Sequence, residues 1–233
     1  MLISILLGDG DLSYKLVYLG MYLIAIVLSF SFHEWAHAHA AFRNGDPTAR
    51  NLGRMTLNPI AHIDPIGFLM IIIVGFGWAK PVPVNPRNYK SYRKAEFQVS
   101  MAGIFTNIII SMISAFLYIA AFTIESVTKV EIPEMVYTFL SIMGYLNAGL
   151  AVFNFIPVYP LDGFHLFELI FGRKFPKAVL WMHNHGRIVL YVIFGLSFVL
   201  SRFFGISIVG TVSEFIFDGS IRLFWLIAKL FIH

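Results

Sequence analysis

The sequence predicts an all-α polytopic membrane protein, with about five to six membrane helices plus a re-entrant segment with room for short strands. Three observations predict it. Only 13% of the 233 residues are charged and 58% are hydrophobic, against about 25% and 45–50% in soluble domains. Mean hydropathy is +0.76, so a water-soluble globule of this chain could not cover its own surface. Several uncharged runs also approach or exceed the about 20 apolar residues that cross a hydrocarbon core.

The same figures exclude disorder, an ordinary soluble enzyme and a collagen-like or disulfide-stapled chain. With no cysteine, Cys-ligated zinc and iron–sulfur sites are excluded as well. The formal charge of +4 and pI of about 9.3 read as topology signal rather than a nucleic-acid footprint, so no nucleic-acid partner is expected.

Taken in chain order, the short apolar run at the N-terminus has no basic residues before it and no small-residue cleavage site, so it is not read as a signal peptide. From Leu16 to Phe32 there is no charge, and helical character continues through HEWAHAHAAF to Phe42. This is the first span. Pro65 to Ala79 is also uncharged but only 15 residues long; it holds Gly67, Gly75 and Gly77, with Pro65 and Pro81 bracketing it. Phe97 to Ile124 is an uninterrupted span. Met135 to Leu161 is uncharged too, its last third rich in proline, and Ile188 to Ser201 is shorter. The tail from Phe203 to His233 is ambiguous, because Glu214, Asp218 and Arg222 interrupt it at spacings of four. There is no repeat, no low-complexity tract and no long polar stretch, so a single membrane-embedded domain over residues 1–233 is expected.

Positive charge orients the spans. Arg43, Arg50 and Arg54 follow the first, and Lys80, Arg87, Lys90, Arg93 and Lys94 follow the short run. Both flanks of Pro65–Ala79 are therefore basic, which favours a segment that dips in and returns on the cytoplasmic side. The loop Glu125–Glu134, with three glutamates and one lysine, reads as external. Arg173, Lys174, Lys177 and Arg187 mark the next loop as cytoplasmic.

Ionisable residues inside apolar helices are expensive and point to function. His33-Glu34-Trp35-Ala36-His37 is an H-E-x-x-H motif. On a helix the two histidines share a face one turn apart, which suits two imidazole ligands of one zinc ion. Glu34 lies about 100° round, within reach of a water at that ion. A catalytic zinc wants three protein ligands and one open position. Asp162 closes the uncharged run, after Pro157 and Pro160 and before Gly163. Alone it reads equally well as a helix N-cap; beside an H-E-x-x-H that lacks a third ligand, the ligand reading is favoured. The other histidines read as structural: His39 points away from the metal, His62 hydrogen-bonds near the re-entrant segment, His165 stands behind Asp162, and His183 and His185 are solvated.

Over roughly Leu16 to Gly172 the chain resembles the site-2 proteases, intramembrane zinc metalloproteases of the small bacterial and archaeal type without a PDZ or CBS module. The resemblance rests on His33–His37, on Asn154–Gly163 (an asparagine and prolines leading to Leu-Asp-Gly), and on Gly45–Gly67 and Gly77–Pro86. It implies one Zn2+ per chain on His33, His37 and Asp162, with Glu34 as general base. It also implies that Asn154 helps hold the scissile carbonyl or its oxyanion. One departure is visible: where the family often has A-G-P-x-x-N, this chain reads Ala102-Gly103-Ile104-Phe105-Thr106-Asn107, without the proline kink. Asn107 is expected to line the cavity.

The function expected is an intramembrane zinc endopeptidase acting on transmembrane proteins or peptides in the lipid bilayer of the cell membrane. Its active site faces the cytoplasmic side, in a water-filled cavity lined by His33, Glu34, His37, Asn154 and Asp162. The oligomeric state is left open. Two alternatives remain at this stage: an inactive client-binding membrane protein, which need not keep the glutamate or every ligand, and a metal transporter, which need not place Glu34 between the histidines.

Overall fold

A computed structural model describes residues 11–74 and 77–230; the N-terminal run and Gly75–Phe76, part of the re-entrant segment, lie outside them. The described chain is almost wholly helical: α1 (Leu12–Arg43), α2 (Thr48–Asn51), α3 (Pro65–Val74), α4 (Tyr92–Thr128), α5 (Glu134–Asn154), α6 (Asp162–Phe171), α7 (Pro176–Phe204) and α8 (Ile208–Ala228). Four of these, α1, α4, α5 and α7, are long and apolar enough to cross a membrane. The count is by length and composition over the described residues, and the all-α polytopic membrane fold is as expected.

Helix α1 starts where Asp11 caps Tyr14 N and stops where Asn44 turns its amide back onto Ala40 O, 2.8 Å away. Its two buried stripes decide the architecture. Ala25, Ser29, His33 and His37 recur at helical spacing and face the core, where α4 and α5 pack on α1. Small residues there let the backbones approach, the usual device of membrane bundles. Ile26 and Ala38 lie on the other stripe and pack on Ile71 of α3 and on Val82 respectively. Glu34, about 100° from His33, belongs to this second stripe. The central helix is thus pressed between the bundle and the re-entrant segment, with the histidines on one side and the glutamate on the other.

The 10 residues of α3 extend about 15 Å at 1.5 Å each, half of a hydrocarbon core of about 30 Å. The chain then returns: Ile63 pairs antiparallel with Ala79, and Lys80 N–H donates to His62 O at 2.8 Å. A Cβ added at Gly77 would fall on the carbonyl oxygen of Gly67, and one at Gly67 on that of Trp78. The glycines that weaken this run as a spanning helix are what allow the hairpin to close. Its two ends lie side by side, the arrangement expected of a segment that turns back rather than one that crosses. The short strands allowed for reduce to this single bridge among the described residues.

Helix α4 continues unbroken for 37 residues, as the missing proline predicts. Its exposed Phe105, Ile109, Met112 and Ile113 form an outward apolar stripe, while Ser111 Oγ donates inward to Gly144 O. The ambiguous tail resolves into α8, packed on α4 and α5. A side chain at Gly144 would strike the Phe217 ring, and the carboxylate of Asp218 accepts the Tyr145 hydroxyl at 2.7 Å. Between α5 and α6, the turn Phe155–Leu161 contains a cis Tyr159–Pro160 bond.

Candidate metal centre

The geometry is built from α1 and the start of α6. His33 Nε2 and His37 Nε2 lie 3.1 Å apart; Asp162 Oδ2 is 3.4 Å from the first and 3.3 Å from the second. Ligands around a tetrahedral zinc at about 2.0–2.2 Å stand about 3.3–3.6 Å from one another. The three atoms are already spaced close to one face of such a tetrahedron. These residues form the group of possible metal ligands found among the described residues.

Two observations test whether an ion fits. Asp162 Oδ2 is buried and has no hydrogen-bond partner, a costly condition for a carboxylate unless a cation meets it. A Cβ at Gly103 of α4 would collide with His33 Cε1 and His37 Nε2, so the missing side chain opens the space beside the ligand atoms. The donor set, two imidazoles and one carboxylate, is that of a catalytic zinc. The capping alternative for Asp162 fails, since Leu161 occupies the N-cap and no side-chain cap bond forms there.

Each imidazole is also held from behind. His37 Nδ1–H donates to Val99 O at 2.8 Å, and His33 Nδ1 meets Asn107 Oδ1 at 2.5 Å. A proton on Nδ1 leaves the Nε2 lone pair free for a metal. Asn107 and Asn147, both fully buried, were not foreseen in this role; Asn107 was expected to line a cavity.

Glu34 is buried, and its Oε2 accepts the Val82 N–H at 2.7 Å. Sequence reasoning missed this partner, because it sits 48 positions away. Residues 80–85 run extended past α1 and are clamped at several points. Arg54 Nη2 donates to Lys80 O and Pro81 O. Asp46 receives the backbone N–H of Asn85 on Oδ2, and the Asn88 amide and both Thr48 donors on Oδ1. Burial pushes the Asp46 carboxyl up, but these four bonds outweigh it and hold it below the usual carboxylate range.

Asn154 ends α5 with its amide donating back to Leu150 O at 3.0 Å. Its hydrogen bond is local, and among the described residues it makes none to the histidines or Asp162. A groove of about 540 Å³ runs along α1 and α4 beside the cradle, lined by Trp35, His39, Arg43, Lys94, Gln98 and Thr106 among others. His33, His37 and Glu34 are each only 8% exposed, because the re-entrant segment and α4 close over them. Of the remaining histidines, His62 donates to Thr56 O and His165 pairs with Glu96 at 3.4 Å, while His183, packed on Tyr159 and Phe164 beside Glu168, and His185 are both exposed, as expected.

Comparison with known proteins places this arrangement. The profile of peptidase family M50 matches residues 21–200. A Bacillus subtilis (strain 168) protein, "Putative zinc metalloprotease YwhC", is 38% identical over 186 residues, which is 80% of this chain and 85% of its own. A Mycolicibacterium smegmatis protein, "Putative zinc metalloprotease Rip2", is 23% identical over 203 residues, 84% of this chain and 75% of its own. No solved structure matches.

Proposed function

This chain belongs to peptidase family M50, the site-2 proteases, and on that premise we propose that it cuts peptide bonds within or beside transmembrane segments of other membrane proteins, with His33, His37 and Asp162 holding its zinc. The broader statement needs no proposal: the protein is a multi-pass membrane zinc metalloprotease. One observation carries the ligand set. The two Nε2 atoms and Asp162 Oδ2 converge to 3.1–3.4 Å from three separate turns of chain, with the carboxylate oxygen otherwise orphaned.

Zinc, when bound, supplies a Lewis acid that polarises the scissile carbonyl and makes a neighbouring water acidic near neutral pH. The chain's own residues do the rest. Glu34 takes a proton from the attacking water on Oε1, the oxygen that Val82 leaves free, as the water oxygen bonds to the scissile carbon, and delivers that proton to the leaving amide nitrogen as the C–N bond breaks. Val82 N–H holds the carboxylate in that pose. Asn154 keeps one of its two amide hydrogens on Leu150 O and has the other to offer an oxyanion.

A transmembrane helix must unwind locally before its carbonyls can react. The extended segment 80–85 is suited to receive it by strand addition, since the backbone of half-exposed Val84 has no partner among the described residues. Arg43, Arg50, Arg54, Lys80, Arg87 and Lys90 gather at this end of α1, which supports a site on the cytoplasmic side of the cell membrane. The test is cleavage of a model transmembrane peptide by the purified, zinc-loaded protein in liposomes, with products identified by mass. The wild type should cut within or beside the apolar stretch and Glu34→Gln should not. Products from Glu34→Gln, or none from the wild type over a panel of single-span peptides, would overturn the reading.

A further inference from the structure

His33 and His37 have different supports. His37 Nδ1 faces a backbone carbonyl, Val99 O, which can only accept, so its tautomer is fixed directly. His33 Nδ1 faces the side-chain oxygen of Asn107, and an amide can turn either end toward a ring. What decides the orientation lies further back. Ser29 Oγ–H donates to Ala25 O at 2.7 Å, which turns its lone pair toward Asn147. Asn147 Nδ2 then donates one hydrogen to Ser29 Oγ and the other to Met143 O, both at 2.8 Å. Both donors being spent, Asn147 can offer Asn107 only its oxygen, and Asn107 Nδ2 donates to it at 2.7 Å. Asn107 therefore presents Oδ1 to His33, and the ring must carry its proton on Nδ1.

We propose that Asn107, Asn147 and Ser29 form a polarity relay that sets the tautomer of His33, carrying the direction of two backbone carbonyls through three side chains so that Nε2 keeps its lone pair for the metal. The relay links three helices: Ser29 on α1, Asn107 on α4 and Asn147 on α5. All three side chains are fully buried, so water cannot substitute for a missing link or let an amide flip cheaply. A free histidine side chain favours the proton on Nε2, and that tautomer would aim a hydrogen at Asp162 and block the ligand position. Asn107 is thus a positioning residue acting through His33. The inference rests on His33 being a ligand.

The test uses the full-length protein in detergent or nanodiscs, uniformly 15N-labelled at histidine, metal-free and at mildly alkaline pH, with His33 assigned by difference. In the wild type, Nδ1 of His33 should give a protonated, pyrrole-like 15N signal. In Asn107→Leu that signal should become pyridine-like as the proton moves to Nε2. Zinc affinity, measured by chelator competition, should fall about 10–100-fold. Asn107→Asp keeps an acceptor on Nδ1, so it should retain the wild-type tautomer and stay within about tenfold of wild-type zinc affinity, even while a buried carboxylate against Asn147 Oδ1 lowers thermal stability. Asn147→Leu, which removes the oxygen that holds the Asn107 amide, should move both readouts in the same direction as Asn107→Leu, and it serves if that variant does not fold. The relay is overturned by a pyridine-like Nδ1 in the wild type, by an unchanged tautomer in Asn107→Leu, or by zinc affinities that simply track thermal stability across the variants. Failure of the ligand reading itself looks different: the wild type would bind no stoichiometric zinc, whatever its His33 tautomer.

Discussion

Gly103→Ala adds a single methyl group to a buried position of α4, and the structure predicts that it empties the metal centre. The new Cβ would collide with His33 Cε1 and His37 Nε2. Non-bonded carbon contacts are comfortable at about 3.5–4.0 Å, so the methyl sits about 1 Å too close to both rings. Metal sites tolerate deviations of only about 0.2 Å in ligand position. The rings cannot retreat far, because each Nδ1 is tied to α4 through Val99 O or Asn107 Oδ1. Zinc affinity should therefore fall at least about 100-fold, close to 3 kcal/mol at about 1.4 kcal/mol per tenfold. The fold should lose less, about 1–3 kcal/mol, as for other overpacked cores. The assay is zinc competition with a fluorescent chelator on detergent-purified protein, with helical circular dichroism to confirm folding. Gly20→Ala on α1 is the control: nothing lies within 4 Å of its added Cβ, and alanine is the better helix former. Wild-type zinc affinity in Gly103→Ala, or equal loss in Gly20→Ala, would refute the reasoning.

Three further outcomes are expected. Asp162→Ala should abolish both zinc binding and hydrolysis while leaving helical content unchanged; zinc retained at one per chain would remove Asp162 from the centre. Asp46 has a folded-state pKa below its unfolded one, so its contribution is complete above the unfolded value and is lost as pH falls through the folded one. Limited proteolysis at residues 80–88 should therefore rise on acidification below about pH 4. Asp46→Asn should already be susceptible at neutral pH and lack that acid step; an identical pH profile in the two proteins would contradict the role. Finally, single cysteines at Asn51 and Tyr89, in a chain with none, should both resist a membrane-impermeant thiol reagent in sealed cells. Labelling of only one would mean that the segment between them crosses.

Much of the site was legible because its strongest signal is local. His33, Glu34 and His37 share a helix, and helical geometry alone puts the histidines on one face and the glutamate on the next. Asp162 was legible as the charge that ends a long uncharged run. The re-entrant turn could be read from a length deficit, three glycines and basic flanks. What was not legible depends on packing between helices. Gly103 gives no side-chain signal; its meaning appears only when α4 lies against α1. The pairing of Glu34 with Val82 N–H spans the whole hairpin, and the relay from Ser29 to His33 needs three helices in register. The close burial of His33, Glu34 and His37 was not legible either, because helix spacing depends on small residues such as Ala25, Ser29 and Gly103 rather than on the polar ones. The charged tail was ambiguous because hydropathy counts Asp218 as a full charge, whereas Tyr145 meets it.

The central claim is that two imidazoles and one carboxylate of this chain hold its zinc. Zinc-edge X-ray absorption on the purified protein tests it most directly. The spectrum should show one zinc per chain with four ligands at about 2.0–2.2 Å, two of them with imidazole outer-shell scattering, and that scattering should fall by half or more in His37→Ala. A shell of oxygens alone, three or more imidazoles, or a spectrum unchanged by His37→Ala would contradict it.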